Sequence, residues 1–238
     1  LGLKADYEIP VGRDLIFNIA DEVRFGVEVC EDLWAAIPPS GFLAVGGAEL
    51  IVNLSASNET ISKRRYRREL VAQQSARCIA GYIYTSSGEG ESTTDLVFSG
   101  HTVIAENGTV IAENEASADG DYMIVQDIDC GKIKADRLKI KTFKDCAAVY
   151  GADETFRRID IDMPIKGDGT LYDIKKLPFV PAVKKDRLER CMDIFSMQVA
   201  GLKKRLKVTG CKPVIGVSGG LDSTLAILVA AKTVKELG

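Results

Sequence analysis

Gly26-Val27-Glu28-Val29-Cys30-Glu31-Asp32-Leu33-Trp34 is the stretch that decides how the chain is read. Phe25 to Val29 is apolar and β-branched with one acidic interruption, which predicts a short buried strand. The strand stops at a thiol. Two carboxylates, an aromatic ring and the turn Pro38-Pro39-Ser40-Gly41 follow it, and the end of a strand in a parallel sheet is where α/β folds place their chemistry. Cys30 is therefore a candidate nucleophile. The competing reading is a small buried hydrophobe, the ordinary role of an unpaired cysteine.

The rest of the composition narrows the chemistry. The chain has 238 residues, 46% of them apolar, with a formal net charge of −3, which allows real cores and gives no basic field for a nucleic acid. No run approaches a membrane span, and Leu1 to Tyr7 lacks the layout of a signal peptide, so no membrane partner and a cytoplasmic location are expected. Cys30, Cys78, Cys130, Cys146, Cys191 and Cys211 are scattered and accompanied by one histidine, which favours reduced thiols over zinc ligation or a disulfide framework. That histidine, His101, falls in a predicted hairpin strand. A cysteine hydrolase here would draw its base from a carboxylate or an amine.

Outward from Cys30, Leu15 to Ile19 predicts a strand, Phe42 to Ala48 a short helix and Glu49 to Leu54 a buried strand that runs into the polar turn Ser55-Ala56-Ser57-Asn58. Ser57 could also cap the next helix, Ser62 to Ala80. On that helix Leu70, Val71, Ser75, Cys78 and Ile79 share one face, opposite Arg64, Arg65, Arg67, Arg68 and Glu69, which are expected to be solvated. Strands are predicted over 81–86, 95–99, 101–106, 109–113 and 122–128, with Asn107-Gly108 as a hairpin turn, and a helix over 133–140. Periodicity is lost over 141–182, which is expected to connect a domain of residues 1–140 to one of residues 183–238. In the latter, Leu188, Cys191, Met192, Phe195, Val199, Leu202 and Leu206 form a helical stripe stopped by Gly210.

Pro213 to Val217 predicts another buried strand, turned by Ser218-Gly219-Gly220-Leu221-Asp222-Ser223 into a helix over 224–237. Strand, glycine turn and helix aim free backbone N–H groups and the positive end of the helix dipole at an anion. Asp222 would be repelled by phosphates unless a cation lies between them, which implies Mg²⁺.

Two resemblances bear on function. Val-Glu-Val-Cys-Glu-Asp-Leu-Trp at 27–34 resembles the nucleophile segment of the nitrilase, or carbon–nitrogen hydrolase, superfamily, and the turn at 53–57 resembles its Asn-Leu-Ser-x-Ser segment. Ser-Gly-Gly-Leu-Asp-Ser at 218–223 resembles the pyrophosphate loop of the ATP pyrophosphatases. Both on one chain, with Leu177-Pro178-Phe179-Val180-Pro181 between them, resemble the glutamine-dependent NAD(+) synthetase family. The resemblance implies an α/β fold: part of a nitrilase-like α-β-β-α sandwich, then the first strand and helices of a doubly wound parallel-sheet ATP pyrophosphatase domain.

It further implies hydrolysis of L-glutamine at Cys30 through a thioester, with Ser57, Lys63 and Glu31 binding glutamine. ATP would lie on Gly216, Val217, Ser218, Gly219, Gly220, Leu221, Asp222 and Ser223, with Mg²⁺ on Asp222, and deamido-NAD+ would be amidated through an adenylate by a homo-oligomer. The family's catalytic glutamate and lysine precede its cysteine. The early candidates Lys4, Glu8, Arg13 and Glu22 lack that context, so a fragment lacking both, inactive alone, is expected. The alternatives are a free-standing amidase and a non-catalytic assembly module.

Overall fold

Residues of like parity on neighbouring strands explain the main layer. The computed structural model describes residues 11–20, 22–114, 123–151, 155–163, 176–177 and 179–238; Lys4, Glu8, Tyr122 and Pro178 lie outside them. Two compact units result, Leu1–Tyr172 and Asp173–Gly238.

In the first unit, β1 (Leu15–Ile19), β2 (Val23–Val29), β3 (Leu50–Ser55), β4 (Gly81–Ser86), β5 (Thr102–Glu106), β6 (Thr109–Glu113) and β7 (Arg157–Ile161) form one mixed sheet ordered β6-β5-β4-β3-β2-β1-β7. Strands β2, β3 and β4 are parallel, in a register that pairs Glu28 with Asn53 and Asn53 with Tyr84. Gly26, Glu28, Ile51, Asn53, Tyr82 and Tyr84 all point to the buried face. There α1 (Pro39–Val45) and α2 (Lys63–Cys78) pack on the strands. Helix α1 comes so close that a Cβ on Gly26 would lie 2.9 Å from the Leu43 side chain. The opposite face is apolar and half open, Val29 being 58% and Leu54 52% exposed.

Several expectations change once the chain is folded. Residues 95–99 form no strand, because the Thr93 hydroxyl accepts the N–H groups of Asp95 and Leu96 and the Ser92 hydroxyl accepts that of Phe98, drawing the backbone into local turns. Residues 123–129 do not join the sheet either, and α3 (Cys130–Lys139) follows them. The stretch beyond is ordered as α4 (Lys141–Tyr150) and β7, which pairs in parallel with β1, so part of the expected connector belongs to the first unit. The hairpin turn is as predicted, with φ of 42° at Asn107 and 88° at Gly108.

The arginine face of α2 is the main correction. Arg67 is 0% exposed, since 67, 71, 74, 75 and 78 follow the helical repeat and share the buried stripe. Its charge is met there: Nη1 donates to Glu59 at 2.7 Å and to His101 Nδ1 at 3.0 Å, and Nη2 donates to the Ser57 hydroxyl at 3.3 Å. On the other side of the imidazole, Nε2–H donates to Glu113 at 3.0 Å, while Arg64 and Arg68 reach the same carboxylate at 3.2 and 2.7 Å. Burial holds the His101 pKa down to about 4, with the Arg64 and Arg67 charges acting in the same direction. Burial alone would raise the carboxyls of Glu59 and Glu113; hydrogen bonds from Ser99 and Arg67 to Glu59, and from Arg68 and His101 to Glu113, hold both below the usual range.

A second buried guanidinium ties the helix ends together. Arg137 of α3 donates to the carbonyls of Ile79 (2.9 Å), Ala44 (3.3 Å), Ala48 (2.7 Å) and Cys78 (3.0 Å), and stacks 4.8 Å from the centre of the Phe143 ring. The Cys78 and Ile79 carbonyls lie where α2 stops, Ala44 in the last turn of α1 and Ala48 just beyond it, and Ile79 ends α2 in the left-handed region at φ 45°.

The second unit contains α5 (Lys184–Thr209) and α6 (Leu221–Leu237), packed on each other through Val199, Val229, Ala230 and Thr233. Only the C-terminal half of the α5 stripe is covered, Leu188 and Met192 remaining exposed. Pro213 to Val217 forms no strand, and Val214 is 95% exposed. A parallel strand exists only by pairing with neighbours, and the described residues of this unit supply none. No helix among the described residues is long and apolar enough to cross a membrane.

Two outcomes are expected. Arg137→Met, which removes the guanidinium donor shared by these four buried carbonyls, lowers unfolding free energy by about 3 kcal/mol in urea titration. His101 binds a proton in the unfolded chain below its ordinary value of about 6.5 but in the folded chain only below about 4, so stability is full above pH 6.5 and falls as pH drops from there to about 4. Below about 4.5 the loss continues as Glu59 and Glu113, ionised and bound in the fold, are forced to protonate. His101→Gln flattens the upper of these two windows in urea titrations at stepped pH.

Candidate functional site

Strand β2 delivers Cys30 to the C-terminal edge of the parallel strands, where the chain turns at once into a short 3-10 helix, Cys30–Trp34. The turn is sharp enough to place Cys30 at φ 49°, in the left-handed region that side-chain-bearing residues seldom occupy. Asp32 secures it by accepting the Val29 N–H at 2.8 Å, and Asn53 Nδ2 donates to the Cys30 carbonyl at 3.4 Å. The thiol is held as well: the Ser55 hydroxyl donates to Sγ at 3.4 Å.

A pocket of about 290 Å³ opens in front of this turn, lined by Cys30, Glu31, Trp34, Ala56, Ser57, Asn58 and Lys63. All four residues expected at a glutamine site, Cys30, Glu31, Ser57 and Lys63, therefore meet around one hollow. Ser57 is not a helix cap; Ser62 occupies that position, and Ser57 is buried with its hydroxyl on Arg67 and its N–H on the Ser86 hydroxyl at 3.1 Å. Lys63 opens α2, its ammonium donating to Asn58 Oδ1 at 2.9 Å. A larger cavity of about 620 Å³ in the same unit, bounded by Phe42, Ile79, Ile140, Phe143 and Tyr150, is walled mainly by apolar side chains and lies away from the thiol.

Beneath the thiol lies a polar layer that sequence reasoning missed. Glu28, 1% exposed, accepts the Ser40 N–H at 2.8 Å and the Tyr82 hydroxyl, which also receives Asn53 Nδ2 at 3.3 Å. Burial, reinforced by the Glu28 charge, raises both the Tyr82 phenol and the Cys78 thiol, the latter to about 12. Cys78 is thus a buried, protonated structural thiol, as expected. The single acidic interruption in an otherwise apolar strand was the signal for this layer, because a buried carboxylate demands partners.

In the second unit, residues 216–223 form an exposed turn into α6. Gly219 takes φ 85°, Ser218 and Ser223 hydroxyls lie 3.3 Å apart, and Asp222 occupies the first helical turn. Asp222 also lines a hollow of about 640 Å³ with Pro213, Ile215, Leu206 and Val229, whereas Gly216 and Gly219 face open space. Among the described residues no three His, Cys, Asp or Glu side chains gather to hold a metal ion. One carboxylate beside serine hydroxyls fits Mg²⁺ only as a cation arriving on phosphate, which needs one or two protein carboxylates.

No protein-family model matches the chain. Glutamine-dependent NAD(+) synthetase of Mycobacterium leprae is 41% identical over 239 residues, covering 98% of this chain and 35% of that protein. The enzyme of the same name from Mycobacterium tuberculosis (strain H37Rv) is 41% identical over 237 residues, covering 97% of this chain and 35% of that protein. A crystal structure of a glutamine-dependent NAD(+) synthetase from Cytophaga hutchinsonii aligns with 43% of this chain and 16% of that one at 30% identity, with a TM-score of 0.37. Over nearly its whole length this chain is homologous to the glutamine-dependent NAD(+) synthetases, and it spans about a third of the length of the curated relatives it matches.

Proposed function

We propose that the first unit carries the thiol side of a glutaminase site and that the loop at 216–223 carries phosphate-binding groups of the ATP site, both serving amidation of deamido-NAD+. The observation that carries this reading is the convergence of Cys30, Glu31, Ser57 and Lys63 on one pocket at the end of β2 and β3. Homology to NAD(+) synthetases supports it independently.

Cys30 Sγ attacks the side-chain amide carbon of glutamine, the C–N bond breaks, and ammonia leaves with the thiol proton, giving a thioester that water hydrolyses to glutamate. Lys63, held by Asn58, and the Ser57 hydroxyl, held by Arg67, are placed to anchor polar groups of the substrate, and Glu31 to receive its ammonium group. At the second site the nicotinate carboxylate displaces pyrophosphate from ATP, and ammonia then displaces AMP from the adenylate. The Ser218 and Ser223 hydroxyls and the N-terminus of α6 bind phosphate oxygens. Asp222 would hold Mg²⁺ arriving with the nucleotide, which when bound would supply neutralisation of the phosphate charge.

The test is intact-mass analysis after treatment with 6-diazo-5-oxo-norleucine, a glutamine analogue that alkylates glutaminase thiols, followed by peptide mapping. One adduct on Cys30 is expected, absent in Cys30→Ser, with Lys63→Ala needing about tenfold more reagent for half-labelling. A folded protein that gives no Cys30 adduct overturns the proposal.

A further inference from the structure

Because β2 and β3 are parallel with Val29 opposite Leu54, the next step along each strand sets Cys30 beside Ser55. The Ser55 hydroxyl donates to Cys30 Sγ at 3.4 Å and accepts the Tyr84 hydroxyl at 2.8 Å. Tyr84 is fully buried, wedged against Trp34 and His101 with ring centres 6.3 and 6.5 Å away. The Arg67 guanidinium lies 5.8 Å from its ring centre. With a lone pair occupied by Tyr84, the Ser55 hydroxyl has its proton directed at sulphur. We propose that Ser55 is a further catalytic residue of the Cys30 site, its hydroxyl hydrogen bond favouring the thiolate, and that Tyr84 is the positioning residue that orients it.

A hydrogen bond to a charged acceptor is stronger than one to a neutral acceptor, and bonds in a buried chain polarise one another. The donor favours the thiolate, whose proton passes to the departing ammonia in the glutaminase step and to solvent in alkylation, and at the same time tempers its nucleophilicity. The other charged groups near the thiol are engaged differently. Asp32 is bound to the Val29 N–H, Glu28 is turned to Ser40 and Tyr82, Lys63 is on Asn58, and Arg67 lies behind Tyr84; Glu31 shares the pocket.

The proposal rests on Cys30 being the nucleophile, yet its test needs no glutamine. Iodoacetamide alkylation of the 238-residue protein is followed at stepped pH by peptide mapping, with exposed Cys191 and Cys211 as internal references. Relative to them, Ser55→Ala slows Cys30 about threefold at pH 7, and the deficit closes or reverses above about pH 10, where the unbonded thiolate is the better nucleophile. Tyr84→Phe changes the profile in the same direction by less. Ser55→Thr, which keeps the hydroxyl, retains the original profile, and its near-isostere Ser55→Val behaves as Ser55→Ala; this pair decides the matter if the alanine variant fails to fold. An unchanged pH 7 rate in Ser55→Val, or a deficit that persists undiminished at high pH, overturns the hydrogen-bond role. Loss of 6-diazo-5-oxo-norleucine labelling with the Ser55 effect intact overturns the glutaminase reading alone.

Discussion

The parallel register of β2, β3 and β4 is the constraint on which the site depends. Setting Glu28 against Asn53 and Asn53 against Tyr84 puts these three polar side chains on the same buried face. A slip of one residue would turn Glu28 and Asn53 toward the half-open apolar face and bury Val29 and Leu54 instead. The thiol, its neighbouring Ser55 and the Asn53 contact to the Cys30 carbonyl would all be lost together. The register is held by the cost of leaving those polar groups without partners.

Burying that much polarity requires charge to be answered locally. Glu28 is met by a backbone N–H and a phenol, Arg67 by a carboxylate, an imidazole and a serine, and Arg137 by four carbonyls. These clusters serve different ends. Arg137 satisfies helix termini and is structural, whereas Arg67 reaches the wall of the pocket through Ser57 and connects it to the β5–β6 hairpin through His101. Removing one partner from either cluster is costly because the remaining groups stay buried.

The two units differ in how much of their structure is self-sufficient. In the first, seven strands supply one another's hydrogen bonds and two helices cover the polar face. In the second, α5 and α6 form from their own backbone bonds, but the segment expected as a strand has none to pair with among the described residues. The glycine turn still adopts its positive φ at Gly219 and still opens a helix, since both are local properties.

By itself the sequence determined the features that depend on nearby residues. The apolar, β-branched run that stops at Cys30 marked a strand end, the Asn107-Gly108 pair marked a hairpin, and the spacing of Val71, Ser75 and Cys78 marked a buried helix face. The candidate residues Cys30, Ser57 and Lys63 were legible because each sits in a short recognisable segment. Tertiary structure alone decided what depends on distant partners. It buried Arg67 by bringing Glu59 and His101 to it, aligned Ser55 and Tyr84 with the thiol, drew 157–161 into the sheet, and left 213–217 without a partner strand among the described residues. Strand pairing and the satisfaction of buried charge join residues tens of positions apart, and no local pattern specifies which partner will be there.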